Sequence, residues 1–276
     1  MIARHYLGLG LLLLTSCTVQ PTEVVTKPIS SLETGCQFEV VQQSPVAVGR
    51  YQRVQFTYLS EAGDVPKRFA ADILAFPKGS ILAELLDQPA LEKHETVPEA
   101  AAKRGAIAAI NGGYYGEEFE PIGLYLLNGQ LQQPISNESG LLTGVLSINT
   151  AGQIALDTRA DFAPTDAVSA FQSGPFLIDP GNALGIYSDN GKLRKRTAVA
   201  LSERGETIVT TTSPVSLYTL AQCLHTQPEA FGVDIVERAL NLDGAISTGM
   251  YAKLESSTIN KPEEVPVRSI LLLYDK

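Results

Sequence analysis

The stretch ALNLDGAISTGMY, Ala239 to Tyr251, decides how the rest of the chain is read. An apolar run from Ala239 to Leu242, interrupted only by Asn241, delivers Asp243 onto a glycine. This pattern predicts a buried strand that ends in a carboxylate held at a turn, because Gly244 can take backbone angles closed to other residues and let the chain reverse. Sites collect at the rims of sheets. Asp243 is therefore either a turn cap, acting through Asx-type hydrogen bonds, or a group that carries chemistry.

The same plan of helix, buried strand, polar residue and glycine occurs twice, at Pro98 to Gly113 and again at Val233 to Gly244. Thr96-Val97-Pro98-Glu99 has the form of a capping box with proline in the first turn, predicting a short helix through Ala100 to Arg104 that Gly105 stops. Ala106 to Ile110 is wholly apolar and suits a buried strand running into Asn111-Gly112-Gly113-Tyr114-Tyr115. Two strand ends are thus expected to converge on one site. The consecutive glycines either form an anion cradle of unobstructed backbone amides or mark an Asn-Gly hairpin turn. An acidic loop, Glu117 to Glu120, follows them in place of the alternating strand that a tight hairpin requires.

Further out, Val54, Phe56 and Tyr58 alternate with polar residues as in a half-buried strand, and Phe69 to Phe76 reads as a second strand. Asn128-Gly129 between Leu124–Leu127 and Gln130–Gln132 is a two-residue hairpin signal. Ala151-Gly152 repeats the idea between Leu146–Ile148 and Ile154–Leu156. Ser213-Pro214-Val215-Ser216 caps a helix whose Leu217, Leu220, Ala221 and Leu224 fall at helical spacing and belong to the core. Ser269 to Tyr274 is apolar enough for a central strand. The fold class expected is α+β, strand-rich, with mostly antiparallel sheets and a few packed helices in a single domain.

Arg194-Lys195-Arg196, after the turn Asp189-Asn190-Gly191, is the densest basic cluster beyond the N-terminus. Such a cluster is either a solvated turn or a place where Arg196, beside the apolar run Ala198 to Leu201, turns inward to hold phosphate bidentately. The formal net charge of -9 over 276 residues argues against nucleic acid as a partner, since such surfaces reward a basic protein. It does not exclude a small anionic substrate. No Gly-x-Ser-x-Gly and no nucleotide-binding glycine loop occurs. No cofactor is expected. An acidic rim leaves a divalent cation such as calcium open, but no loop has the ligand spacing of a dedicated site.

Arg4 and His5 precede the apolar run Tyr6 to Leu14, shorter than a membrane span and close to a signal-peptide core. Leu14-Thr15-Ser16-Cys17 then resembles a bacterial lipobox. The expected organisation is a signal peptide over 1–16, a lipid-modified (palmitoylated) Cys17 with a polar tether over 17–49, and one domain over 50–276. Thr18 stands where an Asp would signal inner-membrane retention, which favours the outer membrane in a diderm cell. The membrane would then be met only through that N-terminal anchor. Cys36 and Cys223 remain, either as a disulfide or as two separate buried thiols.

Asn111 to Tyr115, Pro121-Ile122-Gly123-Leu124-Tyr125, Gln172-Ser173-Gly174-Pro175, Arg196, and Leu242 to Ser247 with Met250-Tyr251 resemble, in this order, the phosphodiester glycosidase family. The similarity looks closest to a bacterial branch and covers about residues 50 to 276. Mammalian members remove N-acetylglucosamine from a phosphodiester to uncover mannose 6-phosphate. The resemblance implies a hydrolase of sugar-1-phosphodiesters, which the N-terminal signal and lipobox place as exported and envelope-anchored; the alternative is a non-catalytic envelope lipoprotein that binds glycans with the same pocket. In the hydrolytic reading Asp243 is the base or charge stabiliser, and Arg196 with the amides of Gly112 and Gly113 holds phosphate. Asn111 and Asn241 orient the sugar or Asp243, and Gly174, Gly244 and Ser247 complete the substrate contacts. Glu118 and Glu120 are reserve carboxylates. The chain departs from the better-studied branch in carrying Ala245 and Ile246 where glycines follow the Asp, and Ala200 where that branch has Gly.

Overall fold

A computed structural model of the chain describes residues 33–61, 64–138 and 140–276. The expected signal peptide, Cys17 and the first part of the expected tether lie outside the described residues. The strands in chain order are β1 (Gly35–Val46), β2 (Gly49–Leu59), β3 (Lys67–Phe76), β4 (Ile81–Asp87), β5 (Ala108–Asn111) and β6 (Tyr125–Leu127). There follow β7 (Gln130–Gln133), β8 (Gly144–Asn149), β9 (Ile154–Thr158), β10 (Ala167–Ser173), β11 (Phe176–Asp179) and β12 (Ala183–Leu184). The last six are β13 (Thr197–Ser202), β14 (Thr207–Thr212), β15 (Val236–Asn241), β16 (Met250–Lys253), β17 (Thr258–Lys261) and β18 (Ser269–Asp275). Among the described residues there are two α-helices, α1 (Val97–Arg104) and α2 (Leu217–Thr226).

Three sheets result. The largest has the order β1-β2-β3-β14-β13-β15-β11-β12, and two five-stranded sheets run β7-β6-β10-β8-β9 and β17-β16-β5-β18-β4. Each described ladder is antiparallel, as between β13 and β15 or β5 and β18. The fold is therefore mostly β rather than α+β. Local caps make the two helices conspicuous in the sequence, but each only covers a sheet face.

The sheets share one core. Tyr51, Leu74 and Phe76 from the large sheet pack with Ile110 and Leu271 from one small sheet and Tyr125, Leu146 and Phe171 from the other. On the outer face of the large sheet, Leu220, Ala221 and Leu224 of α2 join Phe56, Phe69 and Phe231. Helix α1 covers the far face of β5 and β18 through Val97, Ala100 and Ala101. This double cover explains why β5 is buried at every position, its sequence Ala-Ala-Ile-Asn lacking any alternation. The predicted caps are in place. The Thr96 side chain and Glu99 close a capping box on α1, Gly105 ends it with φ 70°, and the Ser216 side chain accepts from the Thr219 N–H of α2.

The folded unit begins at about Glu33, not at residue 50. Residues 35–46 of the expected tether are β1, paired along its length with β2. As an edge strand it leaves residues 39–43 exposed, so it lacks the hydrophobic period by which strands are read. A disulfide joins its Cys36 to Cys223 of α2, 187 residues away. Replacing both by Ser is expected to cost about 2–5 kcal/mol, read as a lower thermal midpoint under non-reducing conditions. An unchanged midpoint would show that the crosslink does not constrain this fold.

Candidate active site

Strand ends from all three sheets meet at one place. β5 arrives with Asn111, β15 with Asn241, β10 with Ser173 and β13 leaves with Thr197. Asn111 is fully buried and ties these ends together. Its Nδ2 donates to the Asp243 carbonyl (2.8 Å), while its Oδ1 accepts from Thr197 Oγ1 (2.7 Å) and the Gly249 N–H (3.2 Å). The Asp243 N–H in turn donates to the Gly112 carbonyl (3.3 Å). The two predicted strand ends thus converge. With every polar atom committed to protein, Asn111 positions the acid rather than touching a substrate.

The turn after Asp243 works differently from the expectation. Gly244 is extended (φ −140°), and Ala245 takes the left-handed conformation with φ 57°. Glycine is needed at 244 because a Cβ there would stand 2.7 Å from the Lys195 carbonyl oxygen. Strained non-glycine residues of this kind cluster at functional sites. The Asx-type cap is also real, since Asp243 Oδ1 accepts the Gly244 N–H at 2.8 Å. A hydrogen bond with Ser247 steadies the same carboxylate. Burial nevertheless raises the Asp243 pKa above the ordinary range, with the Ser247 and Gly244 bonds opposing it only in part.

The glycine pair Gly112-Gly113 is not the cradle predicted. The Gly112 N–H donates to the Ser269 carbonyl at 2.8 Å and is unavailable to an anion. Side chains are excluded there by packing. A Cβ on Gly112 would lie 2.2 Å from Ser269 Oγ, and one on Gly113 would lie 2.7 Å from Phe171 Cδ2. Glu118 and Glu120 are exposed on their loop.

Tyr114 and Tyr115, which no site role was expected to include, stand at the centre. The Tyr114 hydroxyl donates to the Gly174 carbonyl (2.7 Å) and accepts from Asn241 Nδ2 (2.8 Å). Its pKa is raised, first by burial and then by the negative charge of Asp243, with Arg196 opposing the shift. Both charged residues therefore lie close enough to act on this one phenol. Asn241 Nδ2 also donates to the Gly174 carbonyl (3.0 Å), while its buried Oδ1 has no partner among the described residues. Gly174 precedes a cis peptide to Pro175 and has φ 149°; a Cβ would meet the Leu141 carbonyl at 2.1 Å. Tyr115 donates to the Pro266 carbonyl (2.8 Å) and also meets Ser247. The sequence signals for this pair were its place directly after the glycines and its membership of the Asn111–Tyr115 motif that carries the family resemblance.

Arg196 turns inward at the edge of the site. Its Nε donates to the Val215 carbonyl (3.0 Å) and its Nη2 to the Lys192 carbonyl (2.8 Å). Among the described residues it has no carboxylate in an ion pair, and burial lowers its pKa. Backbone bonds hold it alongside the acid, with Ala245 N–H on the Lys195 carbonyl (2.9 Å) and Leu242 N–H on the Thr197 carbonyl (2.8 Å). The result is a partly buried cation and a partly buried anion that both act on the Tyr114 phenol, neither held in an ion pair among the described residues. Among the described residues no three His, Cys, Asp or Glu side chains cluster in a way that would hold a metal ion.

Residues 104–274 match the model of a protein family described as phosphodiester glycosidase. No curated protein matches by sequence. Among solved structures, the chain is similar to the auto-inhibited catalytic domain of zebrafish N-acetylglucosamine-1-phosphodiester alpha-N-acetylglucosaminidase. The TM-score is 0.61 at 16% identity, over 90% of this chain and 91% of that one. A hypothetical protein from Synechocystis gives a TM-score of 0.52 at 13% identity, over 81% of this chain and 62% of that one. A protein from Burkholderia pseudomallei gives 0.51 at 12% identity, over 90% of this chain and 99% of that one.

Proposed function

Because the chain belongs to the phosphodiester glycosidase family, we propose that it hydrolyses the glycosidic bond of a sugar-1-phosphodiester, releasing the sugar and a phosphate monoester. The observation that carries this reading is that Asp243 and Arg196, on segments tied by backbone hydrogen bonds, both act on Tyr114 while neither has an ion-pair partner among the described residues. In such a substrate the group leaving the anomeric carbon is already a stabilised phosphate, so a strong general acid is less necessary than for an ordinary glycoside. Charge placement matters more. Arg196 keeps Nη1 free of described protein partners and would hold the phosphate, whose charge grows as the C–O bond breaks. Asp243 would take the proton of the attacking water as its oxygen bonds to the anomeric carbon, or would stabilise the oxocarbenium-like carbon directly. The Gly113 amide remains a candidate phosphate contact. Asn111, Asn241, Gly174, Gly244 and Ser247 are positioning residues in this scheme.

The test is release of free sugar from a panel of sugar-1-phosphodiesters by the purified protein. Turnover of at least one member supports the reading. Binding without turnover across the panel would favour the glycan-binding alternative.

The natural setting proposed is the cell envelope, with Cys17 as a lipid anchor. Cys17→Ala is expected to move the protein from the membrane fraction to the soluble one. Unchanged sedimentation of that variant would remove the anchor from the account.

A further inference from the structure

A cavity of about 260 Å³ is lined by Arg53, Asp72, Lys195, Ser213, Thr248 and Lys261 among others. Its wall combines β2, β3 and β17 with the segment just before Arg196. Asp72 is buried and fully engaged. Its Oδ1 accepts from the Tyr51 hydroxyl (2.6 Å) and Arg53 Nη1 (3.2 Å), and its Oδ2 accepts from Lys261 Nζ. One carboxylate thus faces two cations, which leaves a net positive charge. Lys195 adds a third cation, paired only at the exposed rim with Glu264.

The donors there are not exhausted. Arg53 makes no described hydrogen bond through Nε or Nη2, and Lys261 bonds only Asp72. The Thr248 hydroxyl is buried with no hydrogen-bond partner among the described residues. A buried hydroxyl left unpaired is costly, and a ligand oxygen would relieve it. Cations with spare N–H groups around an unpaired hydroxyl suit a compact tetrahedral oxyanion, which accepts several charge-assisted hydrogen bonds at once.

We propose that this cavity is a binding site for a phosphate or sulfate group, separate from the phosphodiester site and not dependent on the reaction assigned there. An anion drawing Lys195 and Thr248 together bears on the Asp243 loop, because the Ala245 N–H is already bonded to the Lys195 carbonyl.

Titration of the full chain with inorganic phosphate, and separately with a hexose 6-phosphate, tests this by amide chemical shifts. Saturable shifts of Thr248, Gly249, Ser213 and Lys261 are expected with inorganic phosphate. Tighter binding of the hexose phosphate would mark a phosphorylated sugar as the source rather than the free ion. Thr248→Val and Lys261→Met should each weaken the binding by about tenfold or more. Should Lys261→Met fail to fold, Thr248→Val decides. Absence of saturable shifts in that set, or binding unaffected by Thr248→Val, would overturn the proposal.

Discussion

Asp243→Asn is expected to lower turnover by about 10²–10⁴-fold, the usual contribution of a positioned proton acceptor, while making the protein more stable at neutral pH. Both effects come from the same burial. The carboxyl's pKa is higher in the folded chain than in the unfolded one, so the folded state binds this proton more tightly. Stability linked to it is fully present below the unfolded pKa, near 3.9 for Asp, and is lost as pH rises through the folded value. Asparagine keeps the shape without the buried charge. A thermal midpoint that rises at neutral pH but not in acid, together with lost turnover, is the predicted pattern. The wild-type kcat/KM should show an acid limb above the ordinary Asp range, because the ionised form does the work. Retained affinity for a non-hydrolysed phosphodiester would show that the variant lost chemistry rather than its pocket. Wild-type turnover by the variant would remove Asp243 from the mechanism.

Arg196→Ala should cost about 10²–10³-fold in kcat, the scale seen when one donor to a developing negative charge is removed. KM should rise as well, since the phosphate is charged before reaction. Stability is expected to fall in this case, because Nε and Nη2 hold the Val215 and Lys192 carbonyls and the segment before β13 loses both ties. Arg196→Lys separates the roles. It keeps the charge but not the planar fork, so it should recover part of the rate and little of the loop's rigidity. Equal kcat for all three proteins would show that the guanidinium serves only the loop.

The local features were legible before the fold was. Thr96 to Glu99 and Ser216 announced their helices because a cap is written within four residues, and Asn128-Gly129 announced its hairpin for the same reason. The meeting of Asn111 with Asp243 could be expected from two apolar runs ending alike. What could not be read were the partners of long-range pairs. β3 finds β14 across more than a hundred residues, and no local pattern states that choice or the division into three sheets. The Gly112 amide was misassigned for this reason, since its acceptor, the Ser269 carbonyl, belongs to the last strand. Gly244 was read as the residue bearing the unusual conformation, whereas the close approach of the Lys195 carbonyl requires glycine there and Ala245 bears the strain. Residues 35–46 looked like tether because half of an edge strand faces water and carries Gln, Glu and Ser. Tyr114 and Tyr115 were given no role from the sequence, because their hydroxyls find Gly174, Asn241 and Ser247 only through distant strands.

The central claim concerns which bond breaks, and hydrolysis of a sugar-1-phosphodiester in oxygen-18 water addresses it directly. Attack at the anomeric carbon puts the label on the anomeric hydroxyl of the free sugar and leaves the phosphate monoester unlabelled. Label appearing in the phosphate, with the sugar released unlabelled or still phosphorylated, would mean cleavage at phosphorus and would contradict the roles given to Asp243 and Arg196.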